Sequence, residues 1–246
     1  MRALRPCSPR ILLLASTALL FLSVPSPAFA KEKKGIPAVR WDELQPGCTF
    51  SRSDDGKYHY GLWSGDVGVT LSVDSQELEK THRRHEPFFA LFLSIRYRGE
   101  RTLEVASGDI TLEFVRHFKT QQSSLDPDDF AVKIQSDADA ADHEVARELA
   151  KHPEKKAEKE AYMRRFQKET AELLEFVSKN CLRPAKLAAG NSEVSGWVLF
   201  STQSKWIGGW KKPEDFVLRV PLDEKIFEFP FTLPPKPGEV QLRKRE

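Results

Sequence analysis

The chain has 246 residues, with 38 lysines and arginines against 36 aspartates and glutamates. Three arginines and no acid fall in the first thirty residues, so the remainder holds 35 basic and 36 acidic side chains, net −1. A near-neutral surface of mixed sign carries no electrostatic footprint for nucleic acid, which excludes that class of partner.

Residues 1–30 read as a secretory signal peptide. Arg2, Arg5 and Arg10 precede the apolar run "ILLLASTALLFLSV", and Ala28 and Ala30 give an Ala-x-Ala end, so cleavage is expected after Ala30. The apolar run falls short of the roughly 20 residues that span a bilayer, so the processed protein is not expected to be integral to a membrane. A charged leader, residues 31–35, follows. Cys7 leaves with the signal, and Cys48 and Cys181 remain. Two cysteines in an exported chain allow one bridge, and closing so long a loop contributes about 5 kcal/mol in the chain-entropy model.

Strand signals begin at "KYHYGLWS" and "DVGVTLSV", separated at Gly65 and Asp66. Val67, Val69, Leu71 and Val73 alternate with small or polar residues, the period of a half-buried strand. In "PFFALFLSIRYRGE", Phe89, Leu91, Leu93, Ile95 and Tyr97 point one way, while Phe88, Ala90 and Phe92 point the other. A strand apolar on both faces is central and covered there. "TLEV" and the alternating Ile110, Leu112 and Phe114 continue the pattern, with "DFAVKI", residues 129–134, as a weaker candidate. "SEVSGWVLFST", "DFVLRVPL" and "KIFEFPFTL" complete the set, and Pro221 and Pro230 place strand ends or edges nearby. Short strands at this spacing predict an antiparallel β-sandwich of seven to nine strands over residues 36–236.

Residues 137–180 differ: they are rich in Ala, Glu and Lys and contain no glycine. Asp137 and Asp139 suit a helix start, and Pro153 suits the first position of a second helix. Met163, Phe166, Leu173, Leu174 and Val177 form an apolar stripe at helical spacing, opposite Lys156–Glu160, Glu160–Arg164 and Lys168–Glu172 pairs. This predicts a two-helix insertion docked by one face, serving either as a lid or as an interface. Residues 237–246 form a charged tail.

In "WIGGWKK", Gly208 and Gly209 suit a two-residue hairpin loop. Trp206, Trp210, Lys211 and Lys212 then form either a packing cluster or a platform for a sugar ring, and the packing role is the commoner one. His82 and His85 lie three apart but enclose two arginines, and no partnering ligands are spaced for a metal. The aspartates of "SSLDPDDF" and "SDADAAD" lack the glycine and distant glutamate of a calcium loop, so Asp126-Pro-Asp reads as a turn. No nucleophile elbow, phosphate-cradling loop or dinucleotide fingerprint occurs, and no cofactor or catalytic residue is assigned.

Two stretches, "FFALFLSIRYRGERTLEVASGDITLEF" and "SEVSGWVLFSTQSKW" running on to "FVLRVPLDEKIFEFPFTL", resemble the immunoglobulin-like domains of small exported bacterial proteins of unknown function. The resemblance covers about half of the processed chain, and the insertion at 137–180 departs from the usual pattern. It implies an exported immunoglobulin-like sandwich with an accessory or binding role, located in the periplasm or outside the cell. The leading expectation is a non-catalytic protein that binds another protein or a cell-envelope component. The alternatives are a carbohydrate-binding module using Trp206 and Trp210, with Trp63 or Trp197 assisting, and an envelope hydrolase whose site the sequence does not reveal.

Overall fold

The computed structural model describes residues 36–74, 88–116, 120–201 and 214–233. The expected signal peptide and leader, the His82–His85 pair, the hairpin expected at Trp206–Lys212 and the 237–246 tail lie outside the described residues.

The fold is mainly β, with antiparallel sheets and two helices. Its strands are β1 (Ala38–Arg40), β2 (Cys48–Arg52), β3 (Lys57–Ser64), β4 (Val67–Asp74), β5 (Phe88–Tyr97), β6 (Leu103–Val105), β7 (Thr111–Phe114), β8 (Thr120–Ser123), β9 (Ala185–Leu187), β10 (Glu193–Ser201), β11 (Glu214–Leu222) and β12 (Lys225–Leu233). One five-stranded sheet runs β1-β12-β11-β7-β8, a second runs β10-β5-β4-β3-β2, and β6 pairs with β9. Only the β1–β12 contact is parallel among these pairs. The described residues thus form twelve strands against the expected seven to nine; the additional ones are β1, β2, β8 and β9, which are three to five residues long and carry no run of alternating apolar residues.

The alternation in β4 and β5 sorts their side chains as the sequence requires. Val69, Leu71, Val73, Phe89, Leu91, Leu93 and Ile95 are buried in one core with Leu112, Phe114, Phe216, Leu218, Val220, Phe227 and Phe229 from the other sheet. Phe89 stacks on Phe216 across the two layers, with centroids 5.7 Å apart. The other face of β5 is also covered: Phe88 and Ala90 join Leu199 in a second cluster beneath the helices. Pro221 and Pro230 stand where their strands have one neighbour. The β7 ladder ends at Arg219, and the β1 ladder ends at Glu228, so neither missing N–H breaks a bond.

The insertion begins earlier than expected. Helix α1 spans Pro127–Lys151, and α2 spans Lys156–Asn180 after a single 3-10 turn at Pro153–Lys155. "DFAVKI" is therefore helix rather than strand. Its Phe130, Val132 and Ile134 fit period two, but Phe130, Ile134 and Ala138 also fit a helix face, and Val132 is left 70% exposed. The capping chemistry decides between the periods. Asp126 is the N-cap, accepting from the Asp128 and Asp129 amides at 2.9 and 3.1 Å, with Pro127 in the first turn. Asp137 and Asp139 do not start the helix. They lie inside it, bonded one turn back to Lys133 and Gln135 at 2.6 and 3.0 Å. Asp126→Ala is expected to lower stability by about 1 kcal/mol, measured by urea denaturation, with no change in overall sheet content.

The predicted stripe on α2 is real: Met163, Leu173 and Val177 are buried, with Phe166 and Leu174 half-buried. The Lys156–Glu160 and Lys168–Glu172 pairs form at 3.9 and 3.8 Å, but the expected Glu160–Arg164 pair does not, since Glu160 turns to Lys156 instead. Burial is uneven along the pair, however. The buried residues of α1 end at Ala138, and those of α2 begin at Met163, so docking uses the start of one helix and most of the other.

The expected Cys48–Cys181 bridge is absent, and both cysteines are free thiols. Topology explains this. Cys48 lies on β2, while Cys181 runs beside Trp197 of β10, at the opposite edge of the same sheet. Four strand spacings of about 4.8 Å put the two edges roughly 19 Å apart, whereas a bridge needs Cα atoms within about 7 Å. The two thiols also face opposite ways, Cys48 towards the inter-sheet core and Cys181 into the cluster beneath the helices. Burial pushes the Cys181 thiol up to about 12, against a smaller lowering by Arg183. It stays protonated, and the thiol rather than the reactive thiolate is the species present. Denatured, unreduced protein cleaved after Ala30 should titrate two thiols, and in the folded protein Cys181 should resist alkylation even at pH 9.

Candidate functional site

Of the sequence-predicted binding residues, Trp206, Trp210, Lys211 and Lys212 lie outside the described residues. Trp63 and Trp197, their suggested helpers, are half-buried and far from forming a flat strip. Trp197 makes an edge contact with Phe92 at 5.5 Å and a tilted one with Phe176 at 6.0 Å. Trp63 lies flat on Gly68, where an added Cβ would meet the ring at 2.5 Å. The Arg98 guanidinium covers the ring's other face, 4.4 Å from its centroid.

Arg98, the one member of this group that does so, lines a cleft of about 600 Å³ at one end of the two sheets. Three turns build it. The β3–β4 hairpin closes on Gly65 and Asp66, with Gly65 at φ +61°, the conformation a two-residue hairpin loop takes at its first position. The β11–β12 hairpin closes on Asp223 and Glu224, with Asp223 at φ +54°. The third wall is the segment after β5, where the Tyr97 phenol folds over Gly99 and leaves no room there for a side chain.

Two cross-links hold the turns together. Lys225 Nζ donates to Ser64 Oγ at 3.0 Å and so ties a hairpin of one sheet to a hairpin of the other. The Arg98 amide donates to the Asp66 carbonyl at 2.9 Å. The floor is apolar, with Val67, Tyr97 and Phe227, while Asp66, Arg98, Glu100, Arg101, Asp223 and Lys225 supply charge. "SGDV", "RYRGER" and "PLDEK" each look like a turn in sequence. What the sequence could not show is that all three meet at one end.

A second constellation lies on the outer face of the β2–β5 sheet. His59 sits between two hydroxyls, with Ser53 Oγ 3.1 Å from Nε2 and Ser72 Oγ 2.7 Å from Nδ1. A hydroxyl beside an imidazole is the beginning of a nucleophile–base pair. Ser72 is only 8% exposed, though, and none of the three residues lines the end cleft or the cleft beside β6 and β9. The contacts satisfy polar groups on a sheet face. Among the described residues no three His, Cys, Asp or Glu side chains converge to hold a metal ion. Tyr60 is pushed up to about 12 by burial, with a smaller contribution from Tyr58, and packs edge-on against Trp41 at 5.1 Å.

Comparison of the chain with protein-family models, with curated proteins and with solved structures finds no match to any of them.

Proposed function

We propose that the chain is an exported, non-catalytic binding protein, built on an immunoglobulin-like sandwich and accessory to another protein or a cell-envelope component. Strand order supports the fold part of this reading. In immunoglobulin domains strands A, B and E are neighbours in one sheet and C, F and G in the other. Here β4-β5-β10 and β7-β11-β12 are neighbours, and chain order gives A, B, C, E, F and G in turn. The two helices fall between C and E, where strand D would run. The Phe89–Phe216 stack joins B to F, the pair that a disulfide links in antibody domains.

Export is supported by the basic, apolar and Ala-x-Ala succession of residues 1–30. Among the described residues no helix is long and apolar enough to cross a membrane. The observation that carries the binding role is the end cleft. It is of ligand size and joins an apolar floor to charged turns on a rigid two-sheet frame, the arrangement from which binding loops work.

A photo-crosslinking amino acid placed at Glu100, in cells, tests the proposal. The processed chain, beginning at Lys31, is expected to cross-link to a defined envelope component or exported protein. A chain that keeps Met1 and stays in the cytoplasm, or cross-links to nothing, overturns it.

A further inference from the structure

We propose that the end cleft binds a small anionic ligand, one whose carboxylate or phosphate group seats against Arg98 and Lys225. This deepens the binding-protein reading and rests on it. The two cations differ from the other charges of the cleft in being held in place, and in what holds them. Arg98 is fixed by the Trp63 ring and Lys225 by the Ser64 hydroxyl, both neutral partners. Their charge is therefore left uncompensated while their freedom is already restricted. A ligand that meets them loses less side-chain entropy on binding than it would with free lysines.

Elsewhere on the surface several cations are paired, although Arg52 also rests on a ring, 5.6 Å from the Tyr58 centroid. Arg40, Arg96, Arg116 and Lys186 each pair with a carboxylate, at 3.2, 3.1, 2.8 and 2.8 Å. The three turns bring three cations and three carboxylates into the cleft, yet no ion pair forms among these six described residues. Asp66, Glu100 and Asp223 occupy exposed turn positions, and no side-chain partner holds them among the described residues. The two held charges of the cleft, Arg98 and Lys225, are both positive, whereas its carboxylates, like the exposed Arg101, have no partner that holds them among the described residues. An anion gains the fixed pair, with the Arg98 fork available for two parallel hydrogen bonds and the Lys225 ammonium as a point charge. The Tyr97 phenol and the apolar floor suit the uncharged body of such a ligand.

The test titrates the purified protein with inorganic phosphate, with glucuronate and with glucose, following the Gly65 and Gly99 amide signals by NMR. Both amides should shift with at least one anion and not with glucose; phosphate alone or glucuronate alone responding tells the two sources apart. Arg98→Gln and Lys225→Met should each weaken that binding about tenfold or more, as loss of a charge-assisted contact does. Glu100→Gln should tighten it, because a repelling carboxylate is removed. Since Lys225→Met also breaks a tie between hairpins, the Glu100→Gln result stands as the independent arm. No shift with either anion, an equal shift with glucose, or weaker binding by Glu100→Gln overturns the inference. A successful cross-link at Glu100 without anion binding would remove only the ligand class. Anion binding without any cross-link would remove only the accessory role.

Discussion

Phe216→Ala is expected to lower stability by about 3–5 kcal/mol, the largest single loss available in the core. Phe216 is 1% exposed and packs against at least three other rings. It stacks on Phe89 of the facing sheet at 5.7 Å and on Phe231 of its own sheet at 5.3 Å, and it meets Phe114 edge-on at 5.3 Å. Truncation removes ring burial and leaves a cavity that the two stiff layers cannot close from both sides. At roughly 2–4 °C per kcal/mol for a domain of this size, the melting temperature should fall by about 10 °C or more. Val132→Ala, at a position 70% exposed, is the control and should stay within about 0.5 kcal/mol of the parent. Equal losses at the two positions would mean that Phe216 does not join the layers.

The second large effect belongs to Arg219, on the outer face of the β11 sheet. Its guanidinium contacts Glu113 through Nη2 and donates to Glu228 Oε1 through Nε at 2.8 Å. Arg40 Nη1 reaches the same Glu228 from β1 at 3.2 Å. The Glu113 and Glu228 side chains are only 9% and 14% exposed, and that of Arg219 is 23% exposed. Burial alone would lower the Arg219 pKa, but the bonds to Glu113 and Glu228 outweigh it and hold the group above the usual arginine range.

Arg219→Met leaves Glu113 with no cation beside it among the described residues and Glu228 with only the exposed Arg40, and should destabilise by about 3–5 kcal/mol. Replacing all three residues, Glu113→Leu, Arg219→Met and Glu228→Met, should recover most of the loss, since a buried ionic cluster is often no better than apolar packing. Urea denaturation of the single and triple variants measures both effects. A triple variant no more stable than Arg219→Met would show that packing of the arginine stem, rather than charge, is what Arg219 provides.

The chain order of the long strands could be read directly. Val69, Leu71 and Val73 alternate because β4 has one buried face, and Phe88–Phe92 is apolar throughout because β5 is buried on both. The short strands could not be read this way. Three residues at Ala38–Arg40 or Ala185–Leu187 hold too few alternations to distinguish a strand from a loop, and their pairing comes entirely from distant partners. Helix α1 was legible only in part. Its first two turns satisfy both periods, and the choice depends on how the Asp126 carboxylate meets two backbone amides, a local geometry that residue spacing does not contain.

The sequence by itself determined the fold class, the faces of the long strands, the apolar stripe of α2 and the turn-forming character of "SGDV", "RYRGER" and "PLDEK". These are properties of neighbouring residues, and periodicity and backbone preference act over a few positions. Only the tertiary structure decided that Cys48 and Cys181 sit on opposite edges and opposite faces of one sheet, and so cannot meet. It alone decided that three turns close one cleft in which Arg98 is held by a neutral ring and Lys225 by the hydroxyl of Ser64, 161 positions away. Those outcomes depend on sheet order, which pairing between distant strands sets and which no local pattern encodes.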